Sequence, residues 1–386
     1  MAVIEDMGMR RARQRGLAGV IGTAFGVGVA VGAIVPLLSL LLEQRGYDAT
    51  EIGINAAMAP VGSGIFSLVV PRILARLGLL RGIVLSITVT ATLMLAFAAI
   101  DDYLAWCALR FATGCIGVVH WIASETWLNM LAREKSRSRV MGLYATVMAL
   151  GFASGPLLLT LTGTEGWAPF IAITAAALFA LVPLLLIGTA PPTLEEEMHV
   201  DIFGAMRAVP LVIAAALAAG FIDTALFTLI PVYGVRAGQS EELAVLTLGV
   251  FTAGNLFLQY PLGWIADHTD RRWTAITTAA IIAAGAIAFP LMLPQPDLAF
   301  WTMLFVWGGV SWGLYGLGLA LLGDRFRPEQ LAAANAAFVM TYQAGAITGP
   351  VLSGAALDHW PVYGLTLAVG VVAVLFILAA LRRPGA

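Results

Sequence analysis

Three ionisable residues lie inside long apolar runs: Arg110 and Glu125 in the run 103–131, and Asp223 in the run 208–233. A charged side chain at the centre of a bilayer-spanning helix costs about 2.5–3.5 kcal/mol on insertion scales, so each must be retained for a reason. Asp223, near the middle of its run, can bind and release a proton, or hold two helices together as a neutral acid through one hydrogen bond. Arg110 suits proton coupling or the binding of an anion, or a structural bond to buried carbonyls. Glu125 follows fifteen residues later, which on a helix is a rise of about 22 Å and a net turn of about 60°, so the two share a face without touching. Glu125 thus lies near the other end of the run, either on a cavity or paired with the basic segment that follows. Gly114, Gly117 and Trp121 fall along the same stripe. His120 lies about 80° away and reads as a packing histidine or a proton relay.

A second group mixes aromatics with amides: Asn255 and Gln259, then Trp307, Ser311, Trp312 and Tyr315, then Tyr342 and Gln343. Aromatic area with a few orienting polar groups suits an amphipathic organic molecule. Some of these rings must face lipid or other helices, and Trp301 has the character of an interface anchor. The chain contains no P-loop, no His-Glu-x-x-His and no nucleophile–base set, so neither ATP hydrolysis nor intramembrane enzyme chemistry is expected, and no cofactor. Cys107 and Cys115 stand eight residues apart on one expected helix, roughly 12 Å by helical rise. That distance precludes a disulfide, and two thiols alone suggest no metal site.

The elements that position these residues follow from composition. Of 386 residues, 60% are hydrophobic and 11% charged, against about a quarter charged in soluble domains. The apolar runs approach the ~20 residues needed to cross hydrocarbon as helix and show no period-two alternation, which argues against a membrane β-barrel. Breaks at Pro, Gly and charge clusters give twelve spans near 17–42, 50–71, 82–100, 103–131, 139–162, 167–189, 208–233, 242–266, 274–293, 298–322, 330–356 and 362–381. The first run is too long for a signal-peptide h-region and is kept as a span. With the N-terminus inside, 18 of the 21 Lys and Arg residues fall in interior segments; only Arg45 and Arg236 lie outside, and Arg110 lies within a span. The positive-inside rule therefore places both termini in the cytoplasm. A net charge of −2 leaves no electrostatic footprint for nucleic acid. The polar segment 191–207, with Glu195, Glu196, Glu197 and Asp201, reads as a cytoplasmic linker between halves 1–190 and 208–386.

A repeat supports that division. Span 5 carries Gly142, Gly151 and Gly155-Pro156; displaced by 194 residues, Gly151 falls on Gly345 and Gly155-Pro156 on Gly349-Pro350 of span 11. Small residues permit close helix approach, and backbone freedom there would let one half move against the other. After span 8 comes Gly263-Trp-Ile-Ala-Asp267-His268-Thr-Asp270-Arg271-Arg272. This stretch resembles the loop motif of the major facilitator superfamily, with His268 in place of the usual first basic residue. The resemblance implies a cytoplasmic latch, with Asp267 at the N-terminus of span 11 and the arginines on neighbouring helix ends or acids. The corresponding stretch of the first half, Pro71-Arg72-Ile-Leu-Ala-Arg76, lacks the acid.

Arg110-Phe-Ala-Thr-Gly114-Cys-Ile-Gly117 is similar to the family's second motif, whose Arg is implicated in proton coupling. The span 5 pattern is similar to its antiporter motif without the trailing glycine. Glu125-Thr-Trp127-Leu-Asn129, Gln259-Tyr-Pro261-Leu-Gly263 and Gly323-Asp324-Arg325 with Ala334-Asn335-Ala336 resemble the YcaD-like branch. The resemblance implies an all-α fold of twelve transmembrane helices in two pseudo-symmetric six-helix bundles, with substrate held between them near mid-membrane. The expected function is secondary active transport by alternating access: proton-coupled export of a small organic molecule by a monomer in the inner (plasma) membrane. Uptake of an anionic nutrient on Arg110 is the alternative, and a non-transporting receptor a more distant one. Because the loop latch lies in the second half and Arg110 and Glu125 in the first, the coupling machinery is expected to be asymmetric, carried by spans 4 and 7.

Overall fold

The computed structural model describes residues 2–132, 137–187, 210–323 and 328–382. The linker expected at 191–207 and the basic residues Arg133, Lys135, Arg207, Arg325, Arg327 and Arg383 lie outside the described residues. Among those described there is no strand. The helices are α1 (Ala2–Gln44), α2 (Ala49–Ser67), α3 (Val70–Leu77), α4 (Leu79–Ala99), α5 (Tyr103–Leu131), α6 (Arg137–Thr162), α7 (Ala168–Phe179) and α8 (Leu181–Ile187). After them come α9 (Pro210–Arg236), α10 (Glu241–His268), α11 (Arg271–Met292), α12 (Leu298–Ser311), α13 (Gly313–Gly323), α14 (Pro328–His359) and α15 (Gly364–Leu381).

Several starts are capped by the side chain just before the helix. Asp102 accepts from Ala105 N–H at 2.7 Å, Asp297 from Phe300 N–H at 2.9 Å, and Asp270 from the N–H groups of Arg272 and Trp273. Such caps satisfy donors that the helix itself leaves open.

Among the described residues, ten helical segments can cross a membrane by length and apolarity, α7 with α8 and α12 with α13 each counting as one, and the bent pair α2/α3 makes an eleventh. The twelfth expected span is α14. At 32 residues it is about 48 Å long, but Asn335, Thr341, Tyr342, Gln343 and Thr348 make it too polar to qualify by apolarity. The run expected as a single span over 50–71 breaks after Ser67 and turns through 65° into α3. Pro71 sits in the first turn of α3, where its missing N–H costs nothing, and the stretch Pro71–Arg76 is helix rather than loop.

The chain forms two compact units. One takes Met1–Ile34 and Val61–Glu197, the other Val35–Pro60 and Met198–Ala386. The last part of α1 and the first part of α2 thus belong with the second unit, and the changes of membership fall close to Pro36 and Pro60, both inside helices.

In the first unit, α5, α4 and α3 build a core in which Trp127, Leu128, Ala123 and Val119 meet Ile83, Ile87 and Leu79 of α4 and Leu74 of α3, with Tyr144 and Met148 of α6 closing it. In the second unit α9 is the centre, buried on nearly every face and packed against α10, α14 and α15.

Both units use small residues in the same way. A Cβ on Gly151 would stand 2.4 Å from the Phe25 carbonyl oxygen, and one on Gly155 2.2 Å from the Gly32 carbonyl carbon, so α6 lies backbone to backbone on α1. In the second unit a Cβ on Gly345 would stand 2.2 Å from the Leu217 carbonyl oxygen, and one on Gly349 2.3 Å from that of Phe221, so α14 lies on α9. The pairs Phe25/Gly151 and Leu217/Gly345 are displaced by 192 and 194 residues. The sequence repeat is therefore also a repeat of helix contacts. Gly142 takes no part, since nothing lies within 4 Å of where its Cβ would be. Pro156 and Pro350 both lie inside their helices and are buried.

Candidate functional site

In the second unit, α9 brings Asp223 into the interior at 6% exposure. The Tyr342 hydroxyl of α14 reaches its Oδ2 at 3.4 Å, and Thr224 Oγ1, next along α9, donates to Gly220 O at 2.6 Å. The approach is possible because Gly220 has no side chain: a Cβ there would meet the Tyr342 carbonyl oxygen at 2.0 Å. The other carboxyl oxygen, Oδ1, is buried with no hydrogen-bond partner among the described residues.

Rings stand close by. Tyr342 packs edge-on against Tyr315 with centroids 5.1 Å apart, Tyr315 edge-on against Phe338 at 5.2 Å, and Phe227 edge-on against Trp312 at 6.0 Å. Trp312, Tyr315, Tyr342 and Gln343 are half-buried. On α10, Gln259 Nε2 donates to Asn255 Oδ1, one helical turn away.

Trp307 does not belong with them. It is 1% exposed, donates to Ile282 O at 3.0 Å and packs against Phe251 and Phe289, with Gly285 leaving room for its ring. The expectation of a cavity residue is corrected: Trp307 is core, because its one polar atom is satisfied by a helix backbone. Ser311 is likewise buried and returns its hydroxyl to Trp307 O.

In the first unit, α5 carries Arg110, His120, Trp121 and Glu125. Arg110 and His120 are buried, Glu125 is half-buried and Trp121 is exposed. His120 Nδ1 lies 3.4 Å from Ser124 Oγ, while its Nε2 has no partner among the described residues; the buried Tyr144 hydroxyl of α6 is in the same condition. Arg110 and Glu125 stay at separate levels of α5, as their spacing requires.

At the turn from α10 to α11, Arg271 Nη2 pairs with Asp267 Oδ1 at 3.0 Å and its Nη1 donates to Ala320 O at 3.1 Å, on the last turn of α13. Arg272 Nε donates to Ala380 O at 2.9 Å, at the end of α15. The arginines thus stabilise the negative ends of two helices. Asp267 is taken up by Arg271 and remains largely exposed; the side chains that open α14 lie outside the described residues. Gly263 has open space around it, so nothing here demands its glycine.

One cluster went unforeseen. At the opposite ends of α9 and α14, Arg236 makes a two-pronged contact with Glu43, 2.8 Å on each prong, and reaches Asp358 at 2.9 Å. Asp358 also accepts from Ala49 N–H, Thr50 N–H and the Thr50 hydroxyl at 2.9, 2.8 and 2.7 Å, covering the positive start of α2. Asp48 and Glu51 complete that start with a capping box. Close backbone approaches accompany the charges: Gly53 meets Pro350 and Gly354 meets Ala49.

Planar, two-pronged recognition of this kind needs a guanidinium. Arg236→Ala leaves two carboxylates facing each other. It is expected to cost about 2 kcal/mol, below the 3–5 of a fully buried pair because the groups keep some solvent, with Arg236→Lys recovering only part. Thermal-unfolding midpoints of the purified variants check this.

A family model described as Major Facilitator Superfamily matches residues 20–319. The uncharacterised MFS-type transporter YfkF of Bacillus subtilis is 26% identical over 340 residues, covering 85% of each chain. The uncharacterised MFS-type transporter YcaD of Shigella flexneri is 23% identical over 359 residues, covering 92% of this chain and 93% of YcaD. Among solved structures, a bacterial homologue of the human lysosomal transporter Spinster, inward-facing and unoccupied, superposes with TM-score 0.78 at 14% identity, covering 96% and 95% of the two chains. A D-xylose-proton symporter follows with TM-score 0.74 at 14% identity, covering 96% and 97%. At such identities the structural likeness speaks for the fold.

Proposed function

Because the chain belongs to the Major Facilitator Superfamily of multi-pass membrane transporters, we propose that it works by alternating access and exports a small organic molecule in exchange for protons. The observation that carries the coupling is Asp223, a carboxyl buried at mid-helix with one oxygen on Tyr342 and the other unmatched among the described residues. Such a group is at ease when protonated and needs a partner when ionised. The gain and loss of one proton therefore changes what this site prefers to hold.

The halves 1–190 and 208–386 are the natural moving bodies of this scheme, with both termini in the cytoplasm of an inner (plasma) membrane and the protein acting as a monomer. The glycine contacts of α6 on α1 and of α14 on α9 each lie inside one unit and hold its helices backbone to backbone. The Arg236 cluster lies on the outer side in this orientation and ties the end of α1 and the start of α2 to α9 and α14. On the cytoplasmic side Asp267, Arg271 and Arg272 tie the turn between α10 and α11 to the ends of α13 and α15.

Metabolite profiling inside and outside cells with and without the gene identifies the cargo. Flux into sealed inverted vesicles under an imposed pH gradient then tests the coupling. Lower cellular content of one compound in expressing cells, with uphill vesicle uptake that stops when a protonophore is added, is the expected result. Higher content would reverse the direction and favour uptake of an anionic nutrient on Arg110; binding with no flux would indicate a receptor.

A further inference from the structure

In the first unit α3 stands between two spans: α2 turns into it through 65°, and Gly78, at φ 78°, turns out of it into α4. With α2 crossing the bilayer, that bend lays α3 closer to the membrane plane than to its normal. One side of α3 is fixed in the protein. Val70 and Leu74, one turn apart, are buried against α4 and α5, and Leu74 fills the space at Gly82, where a Cβ would stand 2.5 Å from Leu74 Cδ2. Arg72 and Arg76 stand two positions beyond each of these, about 200° round the helix. Both are exposed, as are Leu68, Val69, Leu77 and, in the first turn of α4, Arg81. Among the described residues no salt bridge takes up Arg72, Arg76 or Arg81. At the corresponding turn of the second half Arg271 is held by Asp267 and Arg272 by the end of α15, whereas Pro71–Arg76 contains no acid.

The positive-inside rule asks for basic charge at this end of the unit. It asks neither for a helix laid on its side nor for apolar side chains exposed beside the arginines. A helix with one face buried in protein, arginines on the other and apolar residues at its flanks fits the anionic headgroups of a bilayer leaflet, with Leu68, Val69 and Leu77 at the acyl boundary. Resting on the orientation given above, which puts this end in the cytoplasm, we propose that α3 docks on the inner leaflet and binds anionic phospholipid. The headgroup phosphates sit on Arg72 and Arg76, whose guanidinium forks match phosphate oxygens, and Arg81 adds to the attracting field.

The test uses the full-length protein, purified and delipidated in detergent, with dioleoyl phosphatidylglycerol and the zwitterionic dioleoyl phosphatidylcholine as probes and binding constants read by native mass spectrometry. Phosphatidylglycerol is expected to bind more tightly than phosphatidylcholine. Arg72→Gln with Arg76→Gln weakens it by about fivefold per arginine, roughly 30-fold for the pair, as each basic residue at an anionic surface contributes. Arg72→Lys with Arg76→Lys keeps most of the affinity. Arg139→Gln with Arg382→Gln removes the same charge from exposed residues elsewhere and leaves the affinity near that of wild type. All these side chains are exposed, so unfolding midpoints stay at the wild-type value. Equal affinity for the two lipids, an undiminished affinity in the Arg72/Arg76 glutamine pair, or the same loss in the Arg139/Arg382 pair overturns the docking site. Displacement of phosphatidylglycerol by millimolar inorganic phosphate overturns the lipid as its occupant. The measurement uses neither flux nor sidedness: a protein that binds the lipid but moves no cargo keeps this site and loses the transport reading, and the reverse result does the opposite. Alkaline phosphatase fused to the C-terminus, active only outside the cytoplasm, reads the orientation; activity there overturns the choice of leaflet.

Discussion

Asp223→Asn is expected to reduce gradient-driven flux by about two orders of magnitude, the usual cost of removing an essential proton-transfer group, while the protein still inserts and purifies in folded form. Asparagine is close to the carboxylic acid in shape and can keep the Tyr342 contact, so the packing role that a neutral acid could play is preserved. What it cannot do is exchange a proton. Asp223→Glu keeps that chemistry but displaces it by one methylene in a site where Gly220 already brings α9 and α14 into backbone contact. Partial activity is expected there. Flux assays in vesicles with matched protein content check both variants. Wild-type flux in Asp223→Asn would reduce the residue to a packing device.

The second large effect is structural. Gly155→Leu and Gly349→Leu are each expected to prevent accumulation of folded protein. In both cases the new Cβ would stand within 2.3 Å of backbone atoms of the facing helix, Gly32 in one unit and Phe221 in the other. A flexible side chain can turn away from such a clash; a helix backbone cannot. Overpacking costs of 1–3 kcal/mol in ordinary cores are therefore a lower bound, and the loss should exceed about 4 kcal/mol, a range reserved for gross steric or polar faults. Gly142→Leu is the control. It belongs to the same sequence pattern yet faces open space, and its effect should stay within about 0.5 kcal/mol. Size-exclusion profiles and unfolding midpoints of the three variants decide the matter; equal behaviour would mean that the pattern does not set the contact.

Much of this was legible in the residues. Asp223, Arg110 and Glu125 stand out because charge within an apolar run is costly wherever the run folds. Gly151/Gly155 and Gly345/Gly349 stand out because their spacing recurs, and the recurrence survives as matched contacts on α1 and α9. Trp307 misled because a tryptophan in a span satisfies its indole N–H equally well on a ligand or on a carbonyl, here that of Ile282. The bend at Ser67 was hidden because the run from Ile65 to Val70 is apolar but for that one serine, so hydropathy carries on across it to Pro71. Arg236, Glu43 and Asp358 could not be joined from the sequence at all. They are separated by 193 and 122 residues and read singly as charges at span ends; only the fold brings α1, α2, α9 and α14 to one corner.

The central claim is that proton gain and loss at Asp223 drives the cargo uphill. The direct measurement is the accumulation ratio, inside over outside, of the identified cargo in sealed inverted vesicles with an imposed pH gradient, compared for wild type and Asp223→Asn. A ratio well above one in wild type, falling to one with protonophore and equal to one in Asp223→Asn, is predicted. The same uphill ratio in both proteins, or one that the protonophore leaves untouched, would contradict it.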